Sequence, residues 1–427
     1  MRLHMKRISA VLLISIVGVT IFAQGQAVQT SPAEDRIAFV SREIGKNPTK
    51  SNLYTELAVA LMLRERETSD IALFDQVQTA LDKSLKLAPG NFEAQKVEAA
   101  LLLGKHEFAS ALALAQSLNK QVPDDVMAYG YIADADLALG DYADAEKAAQ
   151  WMLDLRNHNV PGLIRGAELR QIFGDPGGAL EFLSDAYQQT SPDQSEDLAW
   201  RATCIAEINV AMGKLDLADQ WLRKALASFP KYYFSLEVQA RVLEAQHKYA
   251  EAANILHLRN QHFPQPESIY AEAVALEHSG NAAKAKELYA KFEQTARSKS
   301  GFADNDNRDL VLYYLGYKRD PVEALRIARM TVSQRHDIWS LDSLAMALYA
   351  NRDCLEAQKQ IEEALTPGIR DGDIFYHAAQ INAALKNQAR TVQYLKSSLE
   401  ANPESEVSDS AREMLATYTK AEYGTRR

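Results

Sequence analysis

The chain has 427 residues, 47% of them hydrophobic, and a formal net charge of −10. That length exceeds what one globular core usually organises, so it implies either two or three domains or one repeat array. The low glycine and proline content excludes a disordered or fibrous chain, and the acidic balance, with no local basic run, argues against nucleic acid as a partner.

At the N-terminus, Arg2, Lys6 and Arg7 precede an apolar run from Ile8 to Phe22, and small residues follow in 23–27. A basic head, an apolar middle and a small-residue end are the secretory signal pattern, so residues 1–27 are expected to be a signal peptide. The apolar run is too short to cross a bilayer core of about 30 Å at a rise of about 1.5 Å per residue. The expectation is therefore cleavage and export to a periplasmic or extracellular compartment. An uncleaved anchor is the alternative and the only route to a membrane, because no other segment is apolar enough to span one.

Residues 33–50 follow as an N-terminal helix or half repeat, with Ala33 to Lys46 helical. Residues 51–89 form a helix pair with an enlarged turn at Arg64 to Asp70. From there a short segment recurs: a turn, often an aromatic, then an alanine that opens a second helix. Phe108-Ala109-Ser110-Ala111, Tyr142-Ala143-Asp144-Ala145 and Tyr249-Ala250-Glu251-Ala252 show it most clearly. The closing alanines are Ala111, Ala145, Ala179, Ala218, Ala252, Ala285, Ala324 and Ala357, spaced 34, 34, 39, 34, 33, 39 and 33 residues apart. Pro89 and Pro123 stand 34 apart, as do Pro230 and Pro264, where second helices should stop. Both longer spacings fall on polar stretches, 188–196 and 298–307, read as lengthened links.

This pattern resembles the tetratricopeptide repeat, a helix–turn–helix unit of about 34 residues with a small residue in the first helix, a turn glycine, an aromatic and an early alanine in the second helix. Ala206, Gly213, Ala218, Ala225 and Pro230 carry it in one unit; Ala133, Gly140, Tyr142 and Ala145 carry it in another. The resemblance covers 51–402 and weakens toward its end, where 373–402 lacks the turn glycine and Val392 stands where alanine is expected. It implies an all-α fold: an α-solenoid, a right-handed superhelix of about nine to ten units. Residues 403–427 would supply a capping helix, from Val407 to Tyr418, and a tail. Small residues let paired helices approach closely, and one pair cannot bury its own apolar faces, so each must stack on its neighbours.

Sites for chemistry were sought along the same chain. Gly174-Asp175-Pro176-Gly177-Gly178 resembles a phosphate loop, but it lies at the repeat's turn position with no strand before it. His257 and His262 are spaced poorly for one helix face. The acidic run Asp304 to Asp309 lacks the glycine and closing glutamate of a calcium loop. Cys204 and Cys354 fall in units too far apart for a disulfide. No enzyme, no metal and no cofactor is expected.

The remaining distinctive surface is the concave groove lined by first helices. Mapped through the resemblance, groove positions include Trp200, Glu207, Phe234, Glu237, Arg241, Tyr270, Tyr313, Tyr317, Trp339, Asp342 and Tyr349. Aromatic and arginine side chains are typical interaction hot spots, so a protein or peptide partner held in this groove is the expected function. A clamp for a peptide's C-terminal carboxylate is not supported, because Ala100 follows Lys96 where relatives carry asparagine. An envelope glycan or lipid ligand is the alternative, and a hydrolase on an atypical helical frame a remote one.

Overall fold

The computed structural model describes residues 31–261, 264–299 and 306–424, so the expected signal peptide and most of the 298–307 link lie outside the described residues. Helix α1 (Pro32–Lys46) leads into ten helix pairs. These are α2 (Ser51–Thr68) with α3 (Leu73–Leu87), α4 (Phe92–Gly104) with α5 (Phe108–Gln121), and α6 (Val126–Leu139) with α7 (Tyr142–Leu155). Next come α8 (Val160–Ile172) with α9 (Pro176–Gln188), α10 (Ser195–Ala211) with α11 (Leu215–Ser228), and α12 (Tyr233–Ala245) with α13 (Tyr249–Asn260). The series closes with α14 (Pro266–His278) and α15 (Ala282–Lys299), α16 (Asp306–Tyr313) and α17 (Pro321–Val332), α18 (Ile338–Ala350) and α19 (Cys354–Leu365), and α20 (Gly372–Ala384) and α21 (Gln388–Ala401). Helix α22 (Ser408–Gly424) covers the end, and a π-helical turn, Tyr314–Lys318, continues α16. No strand occurs among the described residues, and no described helix is long and apolar enough to cross a membrane.

Local chemistry explains the boundaries. The Asn91, Asp125, Asn159, Asp337 and Asp371 side chains accept hydrogen bonds from backbone amides two or three residues into their helices, satisfying donors with no intrahelical partner. Pro176 and Pro321 start second helices, where a missing amide hydrogen costs nothing. Gly140, Gly174, Gly213 and Gly280 close first helices with φ between 69° and 87°, the left-handed region that glycine tolerates best.

All eight closing alanines are at most 2% exposed. A larger side chain at any of them would force the paired helices apart. In the last pair this buried place belongs to Thr391, at 0% exposure, rather than to the neighbouring Val392; Thr391, Leu395 and Ser398 repeat the positions of Ala357, Ile361 and Ala364. The Thr391 hydroxyl fits there because it donates to Asn387 O. A second correction concerns 64–70. The expected loop is largely helical, because α2 runs on to Thr68. Arg64 pairs with Glu34 at 2.6 Å and Glu67 at 3.0 Å, holding the extra turn against α1.

The superhelix closes on itself. Contacts from four units join the turn of one unit to the link that follows the unit five later. Gln265 donates to Ser69 O at 2.5 Å, linking the first unit to the connection after the sixth. In the third unit, Ala138 O accepts from His336 N at 3.1 Å and the Tyr142 hydroxyl accepts from Ile338 N at 2.9 Å. Gly174 of the fourth unit packs on Gly368, and Val210 O of the fifth accepts from Asn402 Nδ2 at 3.1 Å. One superhelical turn thus takes between five and six units, and the second turn sits directly on the first. Their apolar cores merge: Leu137, Ala145, Leu169 and Ile172 share one core with Ile338, Leu341, Ile374 and Ile381.

A candidate binding cavity inside the superhelix

Because successive superhelical turns touch, the expected open groove becomes a part-open central cavity of about 700 Å³. Helices α8, α10, α12 and α14 form one wall. The opposite wall is built from α18, the α19–α20 link and the segment from Asn402 to Arg412. Trp200, Glu207, Phe234, Arg241 and Trp339 all line it. Arg241 donates to Glu207 at 2.5 Å, a pair joining neighbouring first helices.

The other six expected groove residues are placed elsewhere. Glu237 accepts from the buried Arg259 at 2.8 Å. Tyr270 packs on Phe292, ring centroids 4.9 Å apart, and Tyr349 lies partly buried against the shared core. Tyr313 is 1% exposed and donates to Glu293 at 3.0 Å. Tyr317 packs on Tyr289, ring centroids 4.2 Å apart and planes tilted by 33°. Asp342 is 3% exposed and bonded to His377 at 2.8 Å. The physical reason is common to most of them: aromatic rings fill gaps between neighbouring helices as readily as they line a groove.

Several wall residues were not anticipated. Glu168 occupies the same position in its repeat as Glu207 and Arg241, immediately after the small residue, so the register could have revealed it. Gln171, Val210 and Glu244 likewise recur at one position. Asp373, Glu406 and Arg412 carry no such signal, since they reach the wall only through contact between superhelical turns.

The wall is electrostatically uneven. Burial pushes the Glu244 carboxyl up to about 7, with repulsion from Glu406 adding and Arg241 opposing. Burial likewise raises Glu168 to about 7, reinforced by Asp134. Asp373 is raised to about 6, by burial and then by Asp371. The Cys204 thiol on the same wall is pushed well up by burial, and both cysteines are free.

The paired helices in chain order, with small residues at each contact, make this chain a tetratricopeptide-type α-solenoid. No protein-family model matches it, and no curated protein does. Among solved structures it is similar to the APC/C hetero-tetramer Cut9–Hcn1, at 14% identity and a TM-score of 0.45. That match covers 90% of this chain and 58% of the other, so the chain spans little over half the length of that neighbour. It is also similar to the human IFIT1 dimer with PPP-AAAA, at 13% identity, with 87% and 95% of the two chains covered and a TM-score of 0.47. Yeast Tom70 is similar at 12% identity, with 86% and 96% covered and a TM-score of 0.39.

Proposed function

We propose that this protein is an exported, non-catalytic scaffold that captures an extended peptide segment of a protein partner in its central cavity. The observation that carries this reading is the convergence of Trp200, Phe234 and Trp339 with charged side chains on one cavity of about 700 Å³. That volume is on the scale of specific ligand sites, roughly 300–1,000 Å³, and excludes a folded domain. Aromatic rings supply contact area at small entropic cost, and polar groups beside them set register. Export rests on the N-terminal pattern of basic head and apolar run.

A photo-crosslinking side chain placed at Gln171, on the cavity wall, should trap a defined partner in the native compartment, attached through an extended segment. The same group at exposed Leu355 should not trap it. Combined Trp200→Ala, Phe234→Ala and Trp339→Ala changes should abolish capture while helicity persists. Unchanged capture would move the site away from the cavity. Recovery of the chain in the cytosol with residues 1–27 intact would remove export from the reading.

A further inference from the structure

Four carboxylates on the cavity wall have no cation in direct contact with them. Glu168 comes from α8, Glu244 from α12, Asp373 from α20 and Glu406 from the α21–α22 link. Among the described residues, none of these four side chains makes an ion pair or hydrogen bond, and Asp373 Oδ1 is buried without a partner. A buried acceptor left unmade is costly, and one retained in a folded protein calls for a partner such as a water, an ion or a ligand group.

The geometry makes the strain collective. Glu406 repels both Glu244 and Asp373, so three chain segments converge on one negative region. Four described arginines line the wall, Arg308 among them, and none is in contact with these four carboxylates; the other three hold different acids. Arg241 holds Glu207 at 2.5 Å, Arg412 holds Asp409 at 2.7 Å, and Arg370 faces Glu400 at 3.8 Å. Among the described residues no group of three or more His, Cys, Asp or Glu is arranged to hold a metal ion. The negative charge is spread along a wall that also presents Trp200, Phe234 and Trp339. Spread carboxylates beside aromatic faces suit a cation on an apolar stem: the head pairs with carboxylate and the stem lies on the rings.

We propose that the cavity binds a stretch of peptide bearing lysine or arginine side chains, their heads set against Glu168, Glu244, Asp373 and Glu406 and their stems against Trp200, Phe234 and Trp339. This assignment rests on the peptide-binding reading above and names the chemistry of the segment bound. The chain's net charge of −10 favours encounter with such a segment as well.

The test uses the whole chain and three blocked pentapeptides of alternating alanine with lysine, Nε-acetyl-lysine or glutamate, titrated by calorimetry and by the fluorescence of Trp200 and Trp339. The lysine peptide should bind at least about 10-fold more tightly than the acetylated one, the scale of one charge-assisted contact, and the glutamate peptide should bind most weakly. Glu244→Gln with Glu406→Gln should cost at least about 10-fold in lysine-peptide affinity without lowering the thermal midpoint. Glu168→Gln alone, on a separate helix, provides a second variant for the same readout. Equal affinity for lysine and acetyl-lysine peptides, abolished by Trp200→Ala, would overturn the charge assignment and leave peptide binding standing. Failure of all three peptides to bind would overturn both.

Discussion

The carbonyl oxygen of Gly368 lies 2.3 Å from where a β-carbon on Gly174 would stand, although 194 positions separate them in the chain. Gly140 repeats the relationship, its β-carbon position lying 2.5 Å from His336 O. At these turns glycine serves two purposes: it adopts positive φ, and it lets the next superhelical turn's backbone come close. From the sixth unit on no link lies five units further, and the corresponding residues are His247, Gly280, Arg319, Arg352 and Lys386, also at positive φ. Arg319, Arg352 and Lys386 are exposed, so their long side chains are accommodated there.

The two purposes of the turn glycines are separable by experiment. Gly280 has φ 87° and nothing within 4 Å of its β-carbon position, whereas Gly174 has φ 78° and is crowded by Gly368. Gly280→Ala should cost only the left-handed penalty, about 1–2 kcal/mol. Gly174→Ala should cost a further 1–3 kcal/mol or so of overpacking. Denaturant midpoints would report the difference, and equal losses would mean the contact between superhelical turns contributes nothing.

Arg66 is a second fastener. It reaches from α2 to Glu196 at 2.6 Å and Asp197 at 3.0 Å on α10, and the Tyr232 hydroxyl donates to the same Glu196 at 2.8 Å. Glu196 is 4% exposed, so Arg66→Ala leaves a buried carboxylate with one donor fewer. A loss of about 1.5–3 kcal/mol is expected in urea unfolding. Arg66→Lys should recover part of it. No loss would assign Glu196 to Tyr232 alone.

Stability should fall as pH rises from 5 to 8. Asp136 is raised to about 6 by burial and then by Asp141 and Asp144. Burial also lifts Glu65, Glu237 and Glu244 to about 7. In the unfolded chain these groups titrate near pH 4. Folding therefore takes up protons between those values: the stabilisation is complete below about pH 4 and is lost as pH climbs through 6 to 7. His377, whose burial is outweighed by Asp342, Asp373 and Asp371 together so that it is raised, acts with the same sign. Thermal midpoints across this range should decline, and Asp136→Asn should flatten the decline. A midpoint that rises toward pH 8 would contradict the assignment.

Closure of the superhelix predicts coupling between distant parts of the chain. Removing residues 402–427 takes away Asn402, which donates to Val210 O, and Pro403, which packs near Gly213. Amide exchange should then quicken across 208–217, and lysine-peptide affinity should fall as Glu406 is lost. An open solenoid would show faster exchange only in its last units, since each unit there touches its neighbours alone. An unchanged 208–217 segment would show that the two superhelical turns are independent.

What the sequence determined by itself is the local unit. Eight alanines at near-constant spacing, four turn glycines and the helix-capping Asp and Asn side chains are enough to specify paired helices stacked in order, because each acts over a few residues and through nearest neighbours. The register even marked where Trp200, Glu207, Phe234 and Arg241 stand on one wall. The tertiary structure alone decided that the wall encloses a cavity. Superhelical pitch is the accumulated sum of small rotations between units, so no single repeat encodes it. Only when the rotations bring Gly368 onto Gly174 and Asn402 onto Val210 do Asp373 and Glu406 meet Glu244 across the interior.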